Sequence, residues 1–419
     1  MENRQFQYYV GIDWASDSYQ VCVIDADRKV LGEKQFDHSG DGIRECIDWL
    51  LKWAAGDVSS IAVTIEVPHG AMVESLIENR LTVFAINPKQ MDRFRDRHTV
   101  AGAKDDDLDA FVMADSLRTD QSCFHLVELD EPAILRLREL SRMEQDLQTD
   151  HNRLANQLWE QLRRYYPQML KLSPAANEVW LWDLLESAPL PGDAGKLRLA
   201  KVKAILRAHR IRRVTADQVL EQLRQPPLRL APGAAEAASE HVRMLLPRLR
   251  LLQQQRDATA RRIRQILDEL STPEGQGCEH RDAEILLSLP GIGPVIAATM
   301  LAEAAQPLRD RDYQALRNYA GAAPVTRRSG KRKVIVMRYA CNERLRNALY
   351  HWSRTSMQND ARAKQHYAEL RRRGHSHGRA LRGLADRNLA MLMAMLKSGT
   401  LYDPARRSST TTNALGEAS

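Results

Sequence analysis

The sequence predicts a mixed α/β domain first, two long helices in the middle, and a mainly α-helical, basic domain at the end. Three observations predict this order. Short apolar runs of strand length alternate with helical spacing up to residue 125, an apolar stripe of helical period follows from residue 134 to 162, and basic residues concentrate after residue 130. A chain of 419 residues has room for two or three such domains.

The first domain, residues 1–125, reads as a β-meander followed by alternating strands and helices. Asp25 to Arg28 is expected to be a turn, because polar residues separate two apolar runs there. Asn87-Pro88 is expected to end the last of the strands. The predicted strands cover residues 8–13, 21–24, the segment after 29, 61–65 and 81–86, and the predicted helices cover 41–54, 69–79 and 105–117.

The middle region, residues 130–275, is predicted to be a helical connector. Apolar stripes from Ile134 to Leu162 and from Leu245 to Leu270 predict two arms of a coiled coil or of a helical hairpin. Pro247 is expected in the first turn of the second arm, where proline is tolerated. An insertion around residues 185–235 contains the basic run Lys201–Arg213, which predicts a helix; whether this insertion forms a small domain stays open.

Charge is distributed unevenly along the chain. Residues 1–130 hold 13 basic and 24 acidic residues, a net charge of −11, whereas the remainder holds 48 and 30, a net charge of +18. This asymmetry predicts an acidic module joined to one that binds a polyanion, and ordinary solvated charge is the alternative. Residues 280–400 form the basic carboxy-terminal domain, and the Ser/Thr-rich tail at 401–419 is expected to be disordered.

Several classes of protein are not favoured. No run of about 18 apolar residues occurs, so no membrane span is predicted. The first ten residues carry Glu2 and Arg4 without an apolar signal core, so a cytoplasmic location is expected. The five cysteines never form a C-x-x-C pair, which argues against a disulfide framework and a structural zinc site.

Four acidic residues form the first candidate site: Asp13, Glu66, Asp106 and Asp109. The first two end predicted strands, and the last two lie three apart on a predicted helix and share a face. Converging carboxylates require cations, and hard oxygen ligands favour Mg²⁺ or Mn²⁺. Surface charge, capping of the helix start by acids, and the first phosphate loop of an actin-like ATPase are the alternatives; the last also needs a later Gly-rich loop, which this region lacks.

Two further candidate sites lie in the basic domain. A Gly-x-Gly turn with Gly291 and Gly293 opens an apolar helix and resembles a helix-hairpin-helix turn that docks a DNA phosphate; an ordinary tight turn is the alternative. Ser329 lies within a cationic segment suited to gripping a phosphate, although spacing alone favours a basic loop with an incidental Ser-Gly turn. The cationic residues of that segment are Arg327, Arg328, Lys331, Arg332 and Lys333.

The combined motifs resemble the insertion-sequence-110 family of DEDD transposases. The resemblance covers roughly residues 8–120 and 285–395, and the middle matches only as a long helical connector. Asp105 stands where the family usually has Ser or Thr. The Asp109-Ala110 pair sets the register at Asp106, and whether Asp105 assists stays open. The motifs are G-I-D-x-A-S from Gly11, I-E-x-x-x-G from Ile65, N-P at Asn87, K-x-D-x-x-D-A from Lys104, L-P-G-I-G-P from Leu289, Y-A-G-x-x-P from Tyr319 and S-G at Ser329.

The resemblance implies a RuvC-like (RNase H-like) domain, a coiled-coil region and a transposase domain. It implies a recombinase that moves its own element, guided by a structured bridge RNA that pairs with target and donor DNA. By the same resemblance, Asp13, Glu66, Asp106 and Asp109 are the metal-binding DEDD acids and Ser329 forms a covalent link to DNA. The active site is then composite, built from different subunits of a dimer or tetramer.

Two other functions remain open at this stage. A RuvC-like junction resolvase or nuclease hydrolyses DNA with water and needs the acids but no serine. A non-catalytic nucleic-acid-binding scaffold needs neither.

Overall fold

The computed structural model describes residues 5–14, 17–55, 57–86, 88–98, 106–128, 130–271, 278–329 and 332–404. Asp105, Gly330, Lys331 and the tail from residue 405 therefore lie outside the described residues, as do the side chains of Asp106 and Ser329. The chain divides into two compact units, Met1–Asp130 and Glu131–Ser419, each with its own hydrophobic clusters.

The first unit is built on a six-stranded mixed sheet of order β3-β2-β1-β4-β5-β6. The β1–β4 and β4–β5 pairs are parallel, and the other neighbours are antiparallel. The predicted meander and mixed sheet are confirmed. The strands are β1 Tyr8–Trp14, β2 Ser18–Asp25, β3 Val30–Asp37, β4 Ile61–Ile65, β5 Thr82–Ala85 and β6 His125–Leu126.

Helices cover both faces of this sheet. Val10 and Ile12 of β1 pack on one side with residues of α1 and α2, whereas Tyr9 packs on the other side with α3 and α4. The prediction missed α3, because Pro88 does end the strand segment but also opens a helix, at the position where proline is tolerated. The helices are α1 Gly40–Trp53, α2 Ala71–Glu78, α3 Pro88–His98 and α4 Asp106–Thr119.

The second unit is mainly helical, as predicted. None of the helices within the described ranges is both long enough and apolar enough to cross a membrane. The elements are α5 Pro132–Tyr165, α6 Pro167–Leu172, α7 Val179–Ser187, α8 Leu199–Ala208, α9 Ala216–Leu223, α10 Ala234–Ser271, α11 Cys278–Ser288, α12 Pro294–Glu303, α13 Ala305–Arg309, α14 Tyr313–Tyr319, β7 Val325–Ser329, β8 Arg332–Val336, α15 Glu343–Asn359, α16 Ala361–Arg372 and α17 His377–Ser398.

The two long helices α5 and α10 form an antiparallel pair within one chain. Leu137 near the start of α5 shares a cluster with Ile266 near the end of α10, and Leu158 shares another with Leu245 near the start of α10. An ion pair of 2.9 Å between Arg256 and Glu144 lies between these clusters. The two arms therefore form a helical hairpin, while a coiled-coil seam between subunits stays a prediction.

Pro247 does not lie in the first turn of the second arm, as the sequence predicted. It lies well inside α10, because the Ala-rich segment from Ala234 begins the helix before the apolar stripe does. An interior proline costs a helix about 3 kcal/mol. Leu245, Leu246 and Leu249 beside it are buried, and this packing offsets the cost.

The insertion between the two arms is a folded lobe of four short helices, α6 to α9. Its core contains Trp180 and Trp182 and is continuous with Leu158 of α5 and Leu249 of α10. The helix predicted in the basic run is confirmed as α8, although it ends at Ala208, short of Arg213.

Candidate active site

Asp13 and Glu66 lie side by side at one edge of the sheet. In the parallel pair of β1 and β4, Ile12 is paired with Ile65, so the next residue of each strand segment is one of the two acids. Side chains alternate along strands, and Tyr9 and Ala62 face α4. Asp13 and Glu66 follow at even spacing and therefore share the α4 face. Both are partly exposed.

Helix α4 crosses β1 in direct contact at Gly11. A Cβ on this glycine would stand 1.9 Å from the carbonyl oxygen of Ala110 and 2.8 Å from the amide nitrogen of Ala114. Both distances are far inside van der Waals contact, so only glycine permits this approach. The G-I-D motif thus fixes the helix close to the strand that carries Asp13.

The direction of α4 brings Asp106 to the same edge. Arg118, near the end of the helix, donates a hydrogen bond of 3.2 Å to the carbonyl of Ala26. Ala26 follows Asp25, the residue paired with Tyr8 at the start of β1. The first turn of α4 therefore lies toward the other end of β1. One helical turn back from Ala110 advances about 5.4 Å, and two strand residues from Gly11 to Asp13 advance about 6.7 Å. The Asp106 backbone is thereby placed toward Asp13.

Asp109 is held in a different way. The residue is 2% exposed, and Arg95 of α3 donates to both of its carboxylate oxygens, at 2.6 Å and 2.8 Å. The hydrogen bond to Asp109 raises the pKa of Arg95. A metal ion at Asp109 would have to displace this guanidinium. Arg95 is the residue that sequence reasoning missed, although Met91 and Phe94, three apart and buried, carried a helical signal.

The donor chemistry at this edge suits a hard divalent cation, because Asp13, Glu66 and Asp106 all offer carboxylate oxygens. Among the side chains that the structure describes, no three His, Cys, Asp or Glu residues lie close enough together to hold a metal ion. That set does not include the side chain of Asp106. Asp13 and Glu66 are the described acids at this end of β1 and β4, and metal binding by them together with Asp106 and Asp109 stays a prediction.

The Gly291–Gly293 turn between α11 and α12 rests on α15. Gly291 has φ +87°, and a Cβ there would stand 2.6 Å from the amide nitrogen of Ser356. Thr355 donates a hydrogen bond of 2.7 Å to the carbonyl of Gly291, and Trp352 donates one of 3.2 Å to Pro290. Internal packing therefore explains this glycine. Gly293, which caps α12, has open space around it, so phosphate docking there stays a prediction.

Ser329 is the last residue of β7 and pairs with Arg332, the first of β8. The expected basic loop is thus a β-hairpin, and Ser329 lies at its tip with Gly330 and Lys331 next in sequence. Five residue pairs join the two strands despite their cationic composition. Arg328 is exposed, whereas the side chains of Arg327, Arg332 and Lys333 lie outside the described residues.

Two other hydroxyl groups of the basic domain, those of Ser288 and Tyr319, have structural contacts. Ser288 donates to the carbonyl of Ile285 at 2.7 Å and accepts from the amide of Tyr402 at 3.0 Å. The hydroxyl of Tyr319 accepts a hydrogen bond of 3.1 Å from Asn342. Tyr339 is 76% exposed.

Comparison with known proteins identifies the family. The mini-circle putative transposase for IS117 of Streptomyces coelicolor is 33% identical over 414 residues, which cover 95% of this chain and 96% of that protein. The chain belongs to the IS110 family of transposases. Membership of this family makes it an enzyme of the transposase class, which acts on DNA, and the DEDD family domain implies an RNase H-like fold for the first unit.

Two family models match separate parts of this IS110-family transposase. The DEDD transposase model of IS110 matches residues 10–167, and the model for transposases of the IS116/IS110/IS902 family matches residues 283–368. The first range contains the four acids and the second contains Ser329. Residues 168–282 lie between the two ranges.

Two further relatives support the assignment. The putative transposase y4uE of Sinorhizobium fredii is 46% identical over 237 residues, 56% of this chain and 64% of that protein, so the match spans less than two thirds of its length. An uncharacterized 43.6 kDa protein of insertion element IS110 from Streptomyces coelicolor is 27% identical over 388 residues, 90% of this chain and 91% of that protein.

Proposed function

We propose that this protein is the recombinase of its own insertion sequence and that it cuts and rejoins DNA through a serine–DNA ester. The observation that carries the proposal is the placement of Asp13 beside Glu66 at the ends of adjacent parallel strands, with α4 fixed on β1 by Gly11. Acids on two strands and one helix at a single sheet edge are an arrangement suited to phosphodiester chemistry.

In this proposal Asp13, Glu66 and Asp106 would hold a divalent ion, Mg²⁺ or Mn²⁺, through their carboxylate oxygens. The ion would supply positive charge that stabilises negative charge developing on a phosphate. Asp109 joins them only if Arg95 releases its carboxylate. Until then the Arg95–Asp109 pair positions α3 against α4, and with it the start of the helix that carries Asp106.

Ser329 is the proposed nucleophile. Its hydroxyl oxygen forms a bond to phosphorus, one P–O bond of the DNA backbone breaks, and the serine proton passes to the leaving sugar oxygen. Because the ester retains the energy of the phosphodiester, attack by a sugar hydroxyl reverses the step and rejoins DNA without ATP. The hairpin supports this role, since its register pairs Ser329 directly with a cationic residue, Arg332.

The partners follow from the family resemblance. We propose that the protein acts on the ends of its element and on target DNA, guided by a structured bridge RNA, as a dimer or tetramer whose active site combines acids and serine from different subunits. The net charge of +18 after residue 130 supports a polyanionic partner for the second unit.

The acid site is tested by strand cleavage with single variants. Asp13→Asn, Glu66→Gln and Asp106→Asn should each abolish cleavage of an element-end duplex in Mg²⁺ while retaining the thermal midpoint of the wild type. Asp41→Asn, an exposed acid on α1, is the matched control and should cleave normally. If Asp105→Asn is inactive and Asp106→Asn recombines normally, the register of the helix ligands is wrong.

A further inference from the structure

The lobe formed by α6 to α9 carries a concentrated cationic surface that the proposed chemistry does not use. Between Lys196 and Arg213, eight of 18 residues are basic and none is acidic. All eight are exposed. The lobe lies in the range between the two family-matched segments. Mixed signs are usual on a solvated surface, and the stretch from Lys196 to Arg213 departs from that rule.

Most of these cations have no acidic partner among the residues that the structure describes. Lys196 pairs with Asp193, and Arg213 pairs with Glu178. The ion pairs found across the described part of the chain use none of the remaining six, which are Arg198, Lys201, Lys203, Arg207, Arg210 and Arg212. Their charge is therefore directed outward, where a polyanion would meet it.

The arrangement on α8 suits a close approach. Val202, Ile205 and Leu206 are buried in the lobe, so the opposite face of the helix is outward. Ala200, Ala204 and Ala208 recur every four residues along that face. Lys203 and Arg207, four apart, flank this row on one side, and Lys201 flanks it on the other. Small side chains between two cationic edges let a backbone of phosphates lie against the helix.

The length of α8 also fits duplex DNA. A helix of ten residues is about 15 Å long, and duplex DNA carries about nine phosphate charges over that distance. Arg210 extends the cationic surface beyond the helix end.

We infer that the outward face of α8 and the turn after it bind the phosphate backbone of duplex DNA, as a contact surface separate from the basic carboxy-terminal domain. DNA is chosen over RNA because family membership already establishes an enzyme that acts on DNA. The inference rests on the proposed function only for its partner, since it assigns no step of the chemistry to this surface.

The test compares full-length chains that differ in three charges. The α8 variant carries Lys201→Ala, Lys203→Ala and Arg207→Ala, all at exposed positions. The control carries Lys29→Ala, Arg44→Ala and Lys52→Ala, which remove the same charge from exposed positions of the acidic first unit. Binding to a short DNA duplex and to an RNA hairpin is measured across a salt series. The α8 variant should lose about 0.9 from the log–log salt slope on duplex DNA for each phosphate contact removed.

The salt slopes on duplex DNA and on the RNA hairpin decide whether α8 binds DNA. A slope on DNA that falls in the α8 variant and not in the control supports the inference. Equal slopes for the two variants, or a loss confined to the RNA hairpin, would overturn it. If the α8 variant folds poorly, the pair Arg210→Ala and Arg212→Ala, which follow α8, is compared with the pair Arg44→Ala and Lys52→Ala, which removes the same charge. Because binding needs no cleavage, a failed surface is distinguishable from a failed Ser329 adduct.

Discussion

Gly11 and Ala110 are in contact through their backbones, with the carbonyl oxygen of Ala110 standing 1.9 Å from the position of a Cβ on Gly11. This approach locks α4 onto the strand that carries Asp13. The contact therefore gives the motif glycine a structural role, since its missing side chain lets the backbone of α4 approach the strand.

Gly11→Ala should destabilise the protein strongly. The added methyl group meets backbone atoms, which cannot rotate away, so we expect a loss of about 3 kcal/mol or more. Gly40→Ala, at the first residue of α1 with nothing within 4 Å of its Cβ, should be neutral or slightly stabilising. Urea unfolding of the two variants measures the difference, and equal midpoints would contradict the contact.

The pair of Arg95 and Asp109 should behave as one unit. Arg95→Ala leaves a buried carboxylate uncompensated, which typically costs about 3–5 kcal/mol. Removing the second charge with Asp109→Asn should then restore part of the loss, so the double variant should be more stable than the sum of the single effects predicts. A double-mutant cycle in urea measures this coupling, and strict additivity of the two effects would show that the pair contributes nothing.

The structure of the α5–α10 hairpin allows packing within the chain and contact between subunits to be tested separately. Leu154 is 3% exposed within the chain's own core, so Leu154→Glu should unfold the hairpin whether or not subunits meet there. Met143 and Leu251 are 45% and 55% exposed. Met143→Glu combined with Leu251→Glu should give a smaller species in light scattering with an unchanged thermal midpoint. An unchanged mass would mean that this surface plays no part in assembly.

His151 should make stability depend on pH. Its side chain is buried, and neither ring nitrogen has a hydrogen-bond partner among the described residues. Burial, with a smaller contribution from Arg256, lowers its pKa below the ordinary 6.5. The unfolded chain therefore binds a proton more readily than the folded chain, so stability should fall as the pH drops below 6.5.

His151→Leu should remove that part of the pH dependence and retain or raise stability near neutral pH, because the buried nitrogens are lost. Thermal midpoints measured from pH 7.5 down to pH 5, a range set by the ordinary histidine pKa, give the comparison. If wild type and variant lose stability in parallel, the histidine is not the group that titrates.

The sequence predicted the parts of the fold that depend on periodicity. Strands β1 to β5, helix α4 and both arms of the hairpin carry regular apolar spacing, and their ends are marked by acids, prolines or turns. It did not predict α3, because charged residues surround Met91 and Phe94 and weaken the pattern. It also missed β7 and β8, since cations occupy positions where apolar alternation would mark a strand.

The part of the candidate site that could be predicted from the sequence is the set of acids that belong to the motifs. Asp13 and Glu66 could be placed together because parallel strands end at a common edge. The ion pair of Asp109 with Arg95 was not predictable, since it joins residues from two helices whose packing depends on the whole face of the sheet. Gly291 had a phosphate-binding interpretation in the sequence, whereas its contact with Ser356 depends on α15, far along the chain.

The central claim, cleavage through a serine–DNA ester, is tested most directly by trapping the protein on a nicked suicide substrate and sequencing the adduct by mass spectrometry. We predict DNA attached to the peptide that contains Ser329, loss of the adduct in Ser329→Ala with DNA binding retained, and a normal adduct in the control Ser288→Ala. Free DNA ends with full cleavage by Ser329→Ala would contradict the claim and would identify a nuclease that uses water.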